Sequence, residues 1–105
     1  MQIVIDLSEA RVHLSEPGDF RRFSVAVEGD GDLEVVVDQS GIGRVQPDGE
    51  HVVIDLVALR ALAGPYATDE WDQGLADMVA YAAGKGWVDA DGGIVAHIEP
   101  RDEAG

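Results

Sequence analysis

Apolar residues recur every second position through much of residues 1–54 and at helical spacing through residues 55–84, and this change of period confines the chain to an α+β arrangement. Ile3, Ile5 and Leu7 alternate, and so do Phe23, Val25 and Val27, which run to a turn at Gly29-Asp30-Gly31-Asp32. Gly43-Arg44-Val45 and His51 to Ile54 flank Gln46-Pro47-Asp48-Gly49, where Pro and Gly occupy the places a tight turn requires, so the segment is expected to form a hairpin. Leu33 to Asp38 admits two readings. Three consecutive valines favour a strand, while Asp32 as N-cap and Gly41 as terminator fit a short helix, and the strand is preferred here.

The second half opens with a helix capped by Asp55, carrying Leu56, Leu59 and Leu62 on one side and stopped by Gly64-Pro65. A longer helix is expected from about Asp69 to Ala83, capped by Thr68, with Asp69, Glu70 and Asp72 favoured in its first turn by the helix dipole. Its buried face is expected to hold Trp71, Leu75, Met78, Val79 and Ala82. Trp87-Val88 and Ile94 to Ile98 then predict a terminal hairpin around residues 89–93, followed by a frayed tail at residues 100–105. The expected architecture is one domain over residues 1–105: mainly β to residue 54, two helices over 55–84, and a hairpin over 87–99. The two helices would pack on one face of a small, mainly antiparallel sheet.

Charge removes several functions. Twenty-one acidic residues against seven basic ones give a formal net charge of −14, with only six Arg and one Lys. Affinity for nucleic acid comes largely from Lys and Arg neutralising phosphates, and anionic membrane leaflets attract basic residues, so neither is an expected partner. The excess is spread evenly, at −7 in residues 1–54 and −7 in residues 55–105, so no acidic tail stands apart as an interaction segment. The helix, turn, helix and hairpin order of residues 55–98 has the outline of a winged helix-turn-helix. Its would-be reading helix, however, carries Asp69, Glu70, Asp72 and Asp77 and no basic residue before Lys85. With no cysteine, disulfides, thiolate metal sites and thiol catalysis are excluded. No leader or membrane-length apolar run is visible, and a soluble cytoplasmic protein is the expectation.

No complete catalytic constellation emerges. Two acidic turns fail the calcium-loop pattern: starting at Glu28, the required Gly falls on Leu33 and the terminal Glu on Gln39, and the loop around Asp89 and Asp91 begins on Trp87 and ends on Ile98. Ser40-Gly41-Ile42-Gly43 lacks the start of a nucleophile elbow, and no glycine run matches a phosphate loop. Arg21-Arg22-Phe23-Ser24 reads as strand alternation, with Phe23 inward and Arg22 outward. His13, His51 and His97 are too far apart in sequence for a local metal motif. If the two hairpins pair, however, His51 and His97 would meet across strands with Glu99 on the same face, a candidate acid/base or ligand cluster. No cofactor and no bound metal is expected.

A second stripe on the long helix, Trp71, Gly74, Met78 and Tyr81, is offset from the core face, with Tyr66 and Trp87 at the helix ends. Either the domain's own core takes these residues or they form a contact surface, since Trp, Tyr and Met are enriched at interfaces. Asp19-Phe20-Arg21-Arg22-Phe23-Ser24-Val25 and Lys85-Gly86-Trp87-Val88-Asp89-Ala90-Asp91-Gly92 resemble segments of small acidic uncharacterised proteins of GC-rich actinobacteria, a resemblance that implies origin and no activity. The leading functional expectation is a non-enzymatic module for protein contact, most simply a homodimer. A small-ligand protein or enzyme using His51, His97 and Glu99, and an acidic inhibitor of a basic partner, are the alternatives.

Overall fold

A computed structural model describes residues 1–21 and 23–99. Six strands form one curled, mixed sheet in the order β2-β1-β3-β6-β5-β4. They are β1 (Gln2–Asp6), β2 (Arg11–Ser15), β3 (Ser24–Glu28), β4 (Gly43–Val45), β5 (His51–Ile54) and β6 (Ile94–Glu99). Three helices, α1 (Leu33–Ser40), α2 (Leu56–Ala63) and α3 (Asp69–Gly84), cover one face, and a 3₁₀ turn (Gly64–Tyr66) links α2 to α3.

The expected mainly antiparallel sheet is mixed. β1–β2, β4–β5 and β5–β6 pair antiparallel, whereas β1–β3 and β3–β6 pair parallel. β1 and β3 run parallel because β2, between them in sequence, pairs on the other side of β1, and β3 and β6 run parallel because the last strand returns to the middle of the sheet, between β3 and β5, where Ile94 and Ala96 are fully buried. For the same reason the expected terminal hairpin is reduced to a single bridge, Val88 to Ile94. Asp89 folds the connecting loop back on itself, its carboxylate accepting from the N–H groups of Asp91 at 2.9 Å and Gly93 at 3.2 Å. The tail over 100–105 and Arg22 lie outside the described residues.

Residues 33–40 form a helix, against the strand reading. The Asp32 carboxylate accepts from the Val35 N–H, and Gly41, at φ 72°, closes the last turn by donating to the Asp38 carbonyl. These two caps supply partners that a lone Val-rich segment would lack, and the helix buries Val36 and Val37 while leaving Val35 exposed. The helices at 56–63 and 69–84 stand where their caps predict, with Asp55 accepting from Val57 N–H and Thr68 from Trp71 N–H. The strand Arg11–Ser15, not anticipated above, forms one sheet edge and turns Val12 and Leu14 to the core.

The register divides the sheet into two faces. Ile3, Ile5, Val25, Val52, Ile54, Ile94 and Ala96 share the helix-covered face and are fully buried with Leu59 and Val37, and the buried Trp71 joins the same cluster. Each such aliphatic side chain contributes about 1.5–3 kcal/mol on burial. The helices described pack their buried side chains on that face, and on the opposite face the register aligns Ser15, Gln2, Ser24, His97 and His51 in one row across five strands.

Candidate functional site

Antiparallel pairing of β5 with β6 sets His51 opposite His97, so the meeting of these two residues follows from strand alternation. Their rings lie edge to face with centroids 5.4 Å apart. The β4–β5 turn aims a carboxylate at this pair. Asp48 Oδ1 accepts from the N–H of Glu50 at 2.8 Å and of His51 at 3.2 Å, while Oδ2 lies 2.8 Å from His51 Nδ1. The Glu50 N–H above all, and then the His51 ring, hold the Asp48 carboxyl below its ordinary pKa. With Nδ1–H of the neutral ring donated to Asp48, Nε2 is left as the acceptor. The His97 ring has no hydrogen-bond partner among the described residues, and both rings open onto a hollow of about 390 Å³ lined also by Phe23, Trp87 and Val95.

Glu99 shares this face, but it sits in the next row and takes a hydrogen bond from Gln2 Nε2 at 3.1 Å, drawn towards the first strand. His13 lies in that same row on β2, three strands from β6, or about 14 Å at the usual spacing between strands. Among the described residues no group of three or more His, Asp or Glu is placed to hold a metal ion.

The aromatic stripe divides in two. Trp71 is buried, donates its indole N–H to the Pro17 carbonyl at 2.8 Å and packs against Phe20 with centroids 6.0 Å apart. The gap at Gly74 is filled from within, since a Cβ there would come within 2.4 Å of the Phe20 ring. Met78 is buried as well. Tyr81 and Trp87 remain exposed, at 62% and 49%, in edge-to-face contact at 6.2 Å, with Lys85 Nζ 5.6 Å from the Tyr81 centroid. Tyr66 is exposed on the 3₁₀ turn and takes no part in these ring contacts. Trp87 thus joins the exposed end of the stripe to the histidine hollow. Asp48, Phe23 and Val95 complete this surface, and of these only Asp48 carries a sequence signal, as the turn residue three places before His51. Phe23 precedes β3 and packs against the core edge as it lines the hollow.

The larger cleft, of about 650 Å³, lies between residues 41–44, the start of α2 and residues 89–93. Its polar groups are committed to structure. Arg44 pairs with Asp89 and reaches Asp91 at 3.7 Å, and Asp55 caps α2. Burial alone would raise Asp89, but hydrogen bonds from the Asp91 and Gly93 backbone and from Arg44 outweigh it and leave the carboxyl below its ordinary value. Asp72 is lowered by its two-point hydrogen bond with Arg60, at 2.8 and 2.9 Å, which clamps α2 to α3. Three carboxyls lowered in the native state contribute stability that is full above their unfolded value of about 3.9 and lost as pH falls through the native values. The urea midpoint is therefore expected to drop below about pH 4, and the drop is expected to be shallower in Asp89→Asn and Asp72→Asn; equal acid sensitivity in these variants would contradict the assignment.

Fold and site together define an α+β domain whose sheet is covered by helices on one side and bears a histidine pair beside exposed aromatics on the other. Compared with models of known families, with curated proteins and with solved structures, the chain gives no significant match. No helix among the described residues is long and apolar enough to cross a membrane.

Proposed function

We propose that the protein is a non-enzymatic accessory module of the cytoplasm that acts by protein contact and self-associates through the surface around Tyr81, Trp87, His51 and His97. The observation that carries this reading is the continuity of that surface: two exposed aromatics in mutual contact run directly into a hollow lined by Phe23, Val95 and the two imidazoles, and the one carboxylate described at its rim, Asp48, is engaged by His51. In a chain with 21 acidic residues, self-repulsion opposes dimerisation everywhere except where carboxylates are sparse. The chain's one lysine, Lys85, stands beside Tyr81 at the edge of this region. Depletion of charge with enrichment of Trp and Tyr is the composition of an interface centre.

Light scattering across a range of concentrations tests the reading. The expected result is a mass that rises towards twice that of the chain and rises further with added salt, which screens the repulsion between acidic copies. Trp87→Glu and Tyr81→Glu are expected to hold the protein monomeric with an unchanged circular dichroism spectrum, because both side chains are already exposed. A monomer at every concentration, indifferent to both changes, would overturn it.

A further inference from the structure

We propose that His51 and His97 form a binding site for a divalent transition-metal ion of the imidazole-preferring kind, zinc, nickel or copper, with Asp48 supporting His51 from behind. The inference goes beyond the contact reading and does not depend on it. Two imidazoles bound to one tetrahedral ion at roughly 2.0–2.1 Å per nitrogen have ring centroids about 5 Å apart. The observed 5.4 Å therefore asks for a ring rotation and no movement of either strand. Edge-to-face contact alone would account for that spacing, but not for the two features beside it. The first is the carboxylate on Nδ1, which fixes the tautomer and ring orientation of His51 and presents Nε2 as the donor, as outer carboxylates do behind metal-bound histidines. The second is the His97 ring, which has no hydrogen-bond partner among the described residues and borders the same hollow.

Donor chemistry sets the class of ion. Two nitrogens and no carboxylate directed at the same point suit borderline metals, while calcium and magnesium require several oxygens. Glu99 is engaged by Gln2 and does not supply a third donor. Two positions of a tetrahedral ion are thus left for water or for a second ligand, and the hollow has room for either.

The test is calorimetric titration of the chelator-treated protein with zinc chloride, with histidine ring signals followed by NMR. The expected result is a saturable site, at one ion per chain or one per two chains, that shifts His51 and His97 and leaves His13 unmoved. His51→Gln and His97→Gln are each expected to abolish the saturable site, and Asp48→Asn to weaken it by about 10–100-fold. Binding is also expected to weaken as the solution is made acidic, because protons compete with the metal for the ring nitrogens. Excess magnesium is expected to leave the titration unchanged. Zinc binding that survives both histidine substitutions would belong to surface carboxylates and would overturn the proposal, as would a wild-type protein that takes up none. Masses measured in the same samples separate the two readings. Zinc held by a permanent monomer sustains the site and removes self-association, and a dimer that ignores zinc does the reverse.

Discussion

Trp71→Ala is expected to lower the free energy of unfolding by about 3–5 kcal/mol, the usual cost of deleting a buried aromatic. The indole ties three parts of the chain together. It sits in the first turn of α3, its N–H reaches back to Pro17, and its ring meets Phe20 in the segment between β2 and β3. The described residues of that segment, 16–21 and 23, form no helix or strand, and they meet α3 through this contact and the fit of Phe20 over Gly74. A domain of this size has only about 5–15 kcal/mol in total, so the substitution should lower the melting temperature by roughly 15–30 °C. Trp71→Phe separates the two contributions. It keeps a ring in the core but loses the bond to Pro17, and its cost is expected to be nearer the ~1 kcal/mol of a single hydrogen bond. Trp87→Ala, which removes a half-exposed side chain, should cost far less than Trp71→Ala. Thermal melts followed by circular dichroism on the three variants check the order, and equal losses for Trp71→Ala and Trp87→Ala would show that the helix stripe is not divided as described.

The same division marks how far the sequence could be read. Helical spacing gathers Trp71, Gly74, Met78 and Tyr81 into one stripe of the sequence that forms α3. Which of them the domain keeps for itself depends on Phe20, more than fifty positions earlier, and no periodicity within α3 encodes that. The helices at 56–63 and 69–84 were legible because their signals are local, a capping side chain at the start and glycine at the end. Residues 33–40 carried equally local signals, and there two caps outweighed the strand preference of Val35, Val36 and Val37. Strand order was beyond reach, since nothing in Ile94–Glu99 announces that this strand enters the centre of the sheet and pairs parallel with β3. The histidine pair was legible because it needs only alternation and a β5–β6 pairing. The direction of Glu99 was not, because its partner Gln2 stands at the far end of the chain.

Gly43→Ala is expected to be the most damaging small substitution in the sheet, at or above the upper end of the roughly 1–3 kcal/mol cost of overpacking. β4 has only three residues, and Gly43 faces Ile54 across the ladder. A Cβ at this position would lie 1.8 Å from the Val53 carbonyl oxygen and 2.8 Å from its carbon. These are backbone atoms of the neighbouring strand, so no rotamer change relieves the overlap, and β4 must separate from β5. That separation also strains the Asp55 N–H bond to the Ile42 carbonyl, at 2.8 Å, and the pairing of Arg44 with Asp89. Gly41→Ala is the matched control. Gly41 has a left-handed φ of 72° with nothing near an added Cβ, so its cost is conformational alone, about 1–2 kcal/mol. Urea unfolding should rank Gly43→Ala below Gly41→Ala, and amide exchange at Val53 and Ile54 should quicken in the former only. Because β5 also carries His51, loosening its outer neighbour is expected to disturb the spacing of His51 and His97 from the opposite side of the strand. A Gly43→Ala protein as stable as Gly41→Ala would mean that β4 is free to shift, and that the sheet edge beside the candidate site is held by the turn at Asp48 and not by its strand pairing.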